Sequence, residues 1–146
     1  MTAPYSSDAE IERLVHGLLD HTLPKAEWTH AAHFAAVLWL MRHRPDLDLS
    51  AVMPDLIRGY NLAVGGRNTD TEGYHETITQ ASLTAARAFM GARPAEEPLH
   101  MAVAALMASP LGKPDWILAC WSRERLFSVE ARRSWTPPDR APLQSL

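Results

Sequence analysis

Two short polar stretches hold the residue types from which an active site could be made. They are "EWTHAAHF", from Glu27 to Phe34, and "GYHETIT", from Gly73 to Thr79. In the first, His30 and His33 are three residues apart. At about 100° per residue, that spacing puts both imidazoles on one helix face, a turn from each other. In the second, His75 and Glu76 are adjacent and two threonines follow, which is poor filler for a helix start. If the two helix starts face each other, three histidines and a carboxylate meet at one site.

The chemistry open to such a set is metal-assisted. A helix starting at Thr29 would hold His30 and His33 in its first turn, where the positive end of the helix keeps imidazole neutral. Neutral imidazole is the form that binds a divalent ion. Three histidines with an open water position make a normal catalytic zinc arrangement. The adjacent His-Glu pair has a precedent in the motif H-E-x-x-H, where the glutamate takes a proton from metal-bound water. The chain has no H-E-x-x-H itself. The expectation is a small-molecule enzyme, hydrolytic through metal-activated water. His30, His33 and His75 would hold zinc or another divalent ion, with Glu27 as a fourth ligand or a partner that fixes a His tautomer. Glu76 would be the base and Tyr74 a second catalytic group. Arg67, Asn68 and Thr79 are the candidate substrate-binding residues; the first two could instead shape their turn, and Thr79 could bond back onto its own helix.

Two other readings use the same residues. One is a metal-free lyase or isomerase in which a histidine and Glu76 shuttle a proton. The other is a non-catalytic ligand- or metal-binding protein. A di-iron carboxylate site is disfavoured, because the paired E-x-x-H helices are missing. Haem on His30 or His75 stays open. His16, His21, His43 and His100 read as surface or hydrogen-bonded residues, and Trp28 and Trp39 as core.

The elements that must position these groups read as helices throughout. Ser7 and Glu10 have capping-box spacing, and Ile11, Leu14, Val15, Leu18 and Leu19 follow with helical period. A second helix starts between Pro24 and Thr29 and stops before Pro45; from Phe34 to Met41 it is apolar on every side, as a central helix would be. Ser50 can cap a third helix, with Pro54 near its start. "GGRNTDT" is a loop, after which Thr69 or Thr71 can cap a fourth helix from about Glu72 to Met90. "AEEPLHMAVAALMAS" reads as a fifth helix and "KPDWILACW" as a sixth. A last one covers about Arg123 to Arg133, before the Pro-rich tail "TPPDRAPLQSL". No segment alternates with period two. The fold class expected is all-α: a single domain over residues 1–146, a bundle of about six helices with an extended tail.

Bulk composition narrows the partners. The chain has 146 residues, 47% hydrophobic and 21% charged, which suits one globular domain. A net charge of -3 argues against nucleic acid. The longest apolar run, "FAAVLWLM", is too short to span a bilayer, and the N-terminal residues lack the pattern of a signal peptide. A cytoplasmic protein acting on a small molecule is expected, with room for a homodimer. Cys120, the only cysteine, lies in "WILACW" and reads as a buried, inert thiol.

Three pieces together resemble a family of small bacterial proteins with no established activity: "HAAHFAAVLWL", "YHETIT" and "LFSVEARRSWTPPDRAPL". The likeness runs over most of the chain from Glu27 onward. It implies a common all-α fold and marks His30, His33, His75 and Glu76, without supplying a substrate. It also implies a structural tail, with Trp135 and Leu143 packed along the bundle and Asp139 paired with an arginine or a backbone amide. Arg132 is the tail-side residue that could reach the site.

Overall fold

A computed structural model of the chain describes residues 3–145. Among the described residues there are seven α-helices and no strand. Helix α1 (Asp8–Leu19) starts where the spacing predicts: the Ser7 hydroxyl accepts from the Glu10 amide. The reciprocal half of the box is absent, because the Glu10 carboxylate takes the Ser6 hydroxyl instead. Ile11, Leu14, Val15 and Leu18 are buried, whereas Leu19, the fifth residue of the periodic set, is exposed.

Pro24 opens a single 3-10 turn, Lys25–Glu27, and Thr29 caps α2 (His30–His43) by accepting from the Ala32 amide. Phe34 to Leu38 are all buried, and the helix packs against α1, α4 and α5. This is the central helix, and its apolar surround explains why: an all-round apolar segment is stable only when covered on every side.

Helix α3 (Leu49–Ala63) is capped by Asp48 rather than Ser50, the Asp48 carboxylate accepting from the Ser50 amide. Pro54 lies in the second turn and cannot donate to the Ser50 carbonyl. The Gln80 side chain of α4 (Glu76–Gly91) makes that bond instead, at 3.0 Å. An orphaned helical carbonyl is thereby satisfied from the neighbouring helix.

The fourth helix begins four residues later than the expected Glu72, and its N-cap is His75, not Thr69 or Thr71. The Thr69 hydroxyl is occupied within the loop by the amides of Thr71 and Glu72. Helix α5 (Leu99–Ala108) follows a proline N-cap that has no side-chain acceptor. Asp8 supplies one from the start of α1, accepting from the amides of Leu99 and His100 and pairing with the His100 ring.

Beyond α5 the expected helices shrink. "KPDWILACW" forms only the 3-10 turn Trp116–Ala119, after another at Pro110–Gly112. The run from Arg123 to Arg133 splits into α6 (Arg123–Leu126) and α7 (Val129–Arg133). Ser122 and Ser128 each accept from the amide three residues on, so each starts a helix of its own. The tail then lies back on the bundle. Trp121 Nε1 donates to the Thr136 carbonyl, and Asp139 accepts from the Ser122 amide and hydroxyl, as the backbone-amide reading of Asp139 expects. Leu143 packs on the core, while Trp135 stays 44% exposed with an edge contact to Trp121. No helix among the described residues is long and apolar enough to cross a membrane.

Candidate functional site

Helices α2, α3 and α4 leave a cavity of about 640 Å³ that the Trp116 turn and α6 help to enclose. The helical period builds its walls. His30, His33, Phe34 and Val37 form one stripe of α2; Ile78, Thr79, Ser82 and Leu83 form one of α4, continued before the helix by His75; Met53, Ile57 and Asn61 come from α3. The lining is mainly apolar with a few polar groups, and its size is that of an ordinary small-molecule site.

The two motifs do meet here, since His30, His33, Tyr74, His75 and Thr79 all line this cavity. Their chemistry differs from residue to residue. His75 is committed to the fold: its Nδ1 accepts from the Ile78 amide at 3.1 Å. An amide can only donate, so the proton sits on Nε2, which donates to the Leu126 carbonyl at 2.7 Å. Burial lowers the His75 pKa against the opposing effect of the Leu126 bond, with Arg132 adding to the lowering. His30 Nε2 donates to the Leu111 carbonyl at 2.8 Å. In the neutral ring this leaves Nδ1 as the acceptor nitrogen.

His33 is the exception among the three, because no hydrogen bond with a described residue engages either ring nitrogen. The ring stacks at a tilt on Trp28, with centroids 4.0 Å apart. The residue is exposed by surface area although many protein atoms surround its ring, and it lines the cavity. Burial, with His30 adding, pushes its pKa down to about 4. His33 is therefore a neutral imidazole at physiological pH, free both to donate and to accept.

Tyr74 Oη donates to Glu76 Oε1 at 2.5 Å, and the Arg58 guanidinium lies 4.3 Å from the Tyr74 ring centre. Burial, then the Glu76 bond, raises the Tyr74 pKa, so the phenol stays protonated. Glu76 also takes the Gln80 amide and is not among the lining residues. The pairing places the expected base behind Tyr74 rather than on the lining itself. Thr79 donates to the His75 carbonyl at 2.9 Å, the back-bonding alternative, while still lining the cavity.

Besides Glu76, three sequence candidates lie off the cavity lining. Glu27 is exposed on the 3-10 turn and borders a separate groove with Tyr5, Glu10 and Arg13. Arg67 is exposed in the loop. Asn68 shapes the turn: its Oδ1 accepts from Asn61 Nδ2 and the Tyr74 amide, and its Nδ2 donates to the Arg58 carbonyl. Gly73 completes that loop at φ +83°, where an added Cβ would stand 1.9 Å from the Arg67 carbonyl oxygen. Arg132 reaches the same backbone, donating to the carbonyls of Gly73 and Tyr74. It buttresses the loop from outside.

The fit to a metal follows from these bonds. A three-histidine centre needs a free lone pair on each ring, and His75 has none while it caps α4. Among the described residues, no group of three or more His, Cys, Asp or Glu side chains stands placed to hold an ion. Of the expected ligands His30, His33, His75 and Glu27, the three histidines line one cavity, His75 with both ring nitrogens bonded, and Glu27 lies outside it.

Sequence reasoning overlooked Asn61, Ser82, Asp115 and Arg123 as lining residues. Ser82 carried a signal: with Thr79, it puts hydroxyls on the α4 stripe that also holds Ile78 and Leu83. Comparison of the chain with protein-family models, curated proteins and solved structures returns no match.

Proposed function

We propose that this protein binds a small, largely apolar organic molecule in the α2–α3–α4 cavity and holds the molecule's polar group against His33, without a metal. The observation that carries this reading is the pairing of an apolar cavity with one lining imidazole whose ring nitrogens have no hydrogen-bond partner among the described residues. An imidazole serving the fold has a hydrogen-bond partner, as His30 and His75 do. One kept neutral and unbonded on the lining of an apolar cavity is placed for a ligand. Its low pKa makes it a better hydrogen-bonding partner than a strong base.

A second reading, a metal-free lyase or isomerase, rests on Tyr74. Its hydroxyl, bonded to Glu76, is the other proton-carrying group on the lining with a carboxylate behind it. In that scheme His33 removes a proton and the Tyr74–Glu76 pair returns one. Catalysis would require a bound ligand that raises the His33 pKa toward neutrality.

The test is ligand-observed NMR with neutral apolar probes, phenol and indole, on the wild type and on Ser82→Trp. Binding to the wild type, with movement of the His33 ring signals, and loss of both in the filled variant are expected. Probes that ignore the protein at millimolar concentration, or bind the variant equally, would remove the cavity reading. Thermal unfolding with added zinc discriminates the metal alternative. A zinc-dependent rise in Tm that vanishes in both His33→Phe and His75→Asn would reinstate it.

A further inference from the structure

Two charged side chains on the cavity lining have no ion pair or hydrogen bond with any described residue: Arg123, at the start of α6, and Asp115, just before the Trp116 turn. Most other arginines are paired, with Arg87 on the Ser50 hydroxyl, while Arg13 and Arg67, away from this cavity, have no side-chain bond to a described residue. Arg44, Arg58, Arg93 and Arg133 meet carboxylates, and Arg42, Arg125, Arg132 and Arg140 meet carbonyls. An unpaired guanidinium beside an apolar cavity differs from those in what it can still bind.

We infer that the ligand is an apolar carboxylic acid, its hydrocarbon body in the cavity and its carboxylate on Arg123. The inference rests on the cavity being a ligand site, as proposed above. The charges favour an anion over a cation. Helices α2 and α4 both bring their N-terminal turns to the lining, through His30 and His33 and through Ile78 and Thr79. Their partial positive ends add to Arg123. Asp115 is the single acidic residue on the lining, and the Glu76 carboxylate behind Tyr74 is engaged by the Tyr74 hydroxyl. Guanidinium is also suited to the purpose, since its planar fork matches a carboxylate with two parallel bonds. His33 then serves a second polar atom of the same molecule or the carboxylate itself.

The experiment compares three probes of one shape by isothermal titration: 3-phenylpropanoate, 3-phenylpropanamide and 3-phenylpropylamine. The carboxylate is expected to bind about tenfold more tightly than the amide, and the amine more weakly than either. In Arg123→Met that preference should fall to about twofold while amide affinity holds, and Arg123→Lys should restore part of it. Unchanged amide affinity also shows that the variant is folded. An amine that binds best would make Asp115 the anchor and overturn the inference. So would a carboxylate preference that survives in Arg123→Met. If none of the three binds, the cavity reading falls and this one with it; binding without charge preference sinks this one alone.

Discussion

His75 Nε2 donates to the carbonyl of Leu126, 51 residues further along the chain, while the same ring caps its own helix. One imidazole thus starts α4 and fastens α6 to it. Asparagine can replace the first function, being among the best N-cap residues, but is too short for the second. His75→Asn should therefore destabilise by about 1–2 kcal/mol through the orphaned Leu126 carbonyl, and His75→Ala by about 1 kcal/mol more. Urea unfolding of the two variants checks the order. Equal losses would mean that the cap contributes nothing.

Gln80 and Pro54 make a second testable pair. Gln80→Leu removes the donor to the Ser50 carbonyl and should lower stability by about 1 kcal/mol. In a Pro54→Ala background the restored helical amide can take over that carbonyl, so the same change should then have a smaller effect. A double-mutant cycle measures the difference. Strict additivity would show that the carbonyl finds water instead.

The pH dependence follows from His33. Its ordinary pKa of 6.5 is lowered to about 4 in the folded protein. The unfolded chain therefore binds more protons at this position between those values, and stability falls as pH drops through that window. Above 6.5 the contribution is fully present; below about 4 no further loss arises from it. Because the ring retains solvent contact, the loss should be about 1 kcal/mol rather than the full value of the shift. Denaturation at pH 7 and pH 4.5 should show this component in the wild type and not in His33→Phe.

Gly73→Ala should be the most damaging single methyl in the loop. Positive φ and a Cβ only 1.9 Å from a carbonyl oxygen combine there, so a loss of at least about 2 kcal/mol is expected. Both the Asn68 and Arg132 bonds to this backbone would shift with it. Thermal unfolding is the measurement, and a Tm within a degree of wild type would contradict it.

What the sequence made legible tracks how local the cause is. The all-α class, the Ser7 and Thr29 caps and the burial of α2 each follow from residues within one or two turns of each other. The meeting of the two polar motifs was legible too, as was the placement of Asp139 on an amide. The roles within the site were not. Whether His75 binds an ion or caps a helix depends on where α4 begins, and Thr69 looked like an equally good cap. Nothing near Glu76 announced that Tyr74 would occupy it. Long-range pairings, such as Asp8 with α5 or Gln80 with Ser50, leave no periodic trace at all. The breakup of Arg123–Arg133 had a local sign in its two serines, which cap what charge and period alone read as one helix.

The lone thiol gives the tail a clock. Cys120 is fully buried, with its Sγ 3.7 Å from the Pro142 carbonyl and its own carbonyl holding the Arg140 amide. Burial raises its pKa, so the buried sulfur is unreactive as well as covered. A thiol reagent can label it only after the segment around Arg140 to Pro142 lifts away or the whole domain opens. Labelling that outpaces global unfolding would count tail departures directly, one modified molecule for each opening that lasts long enough to be caught.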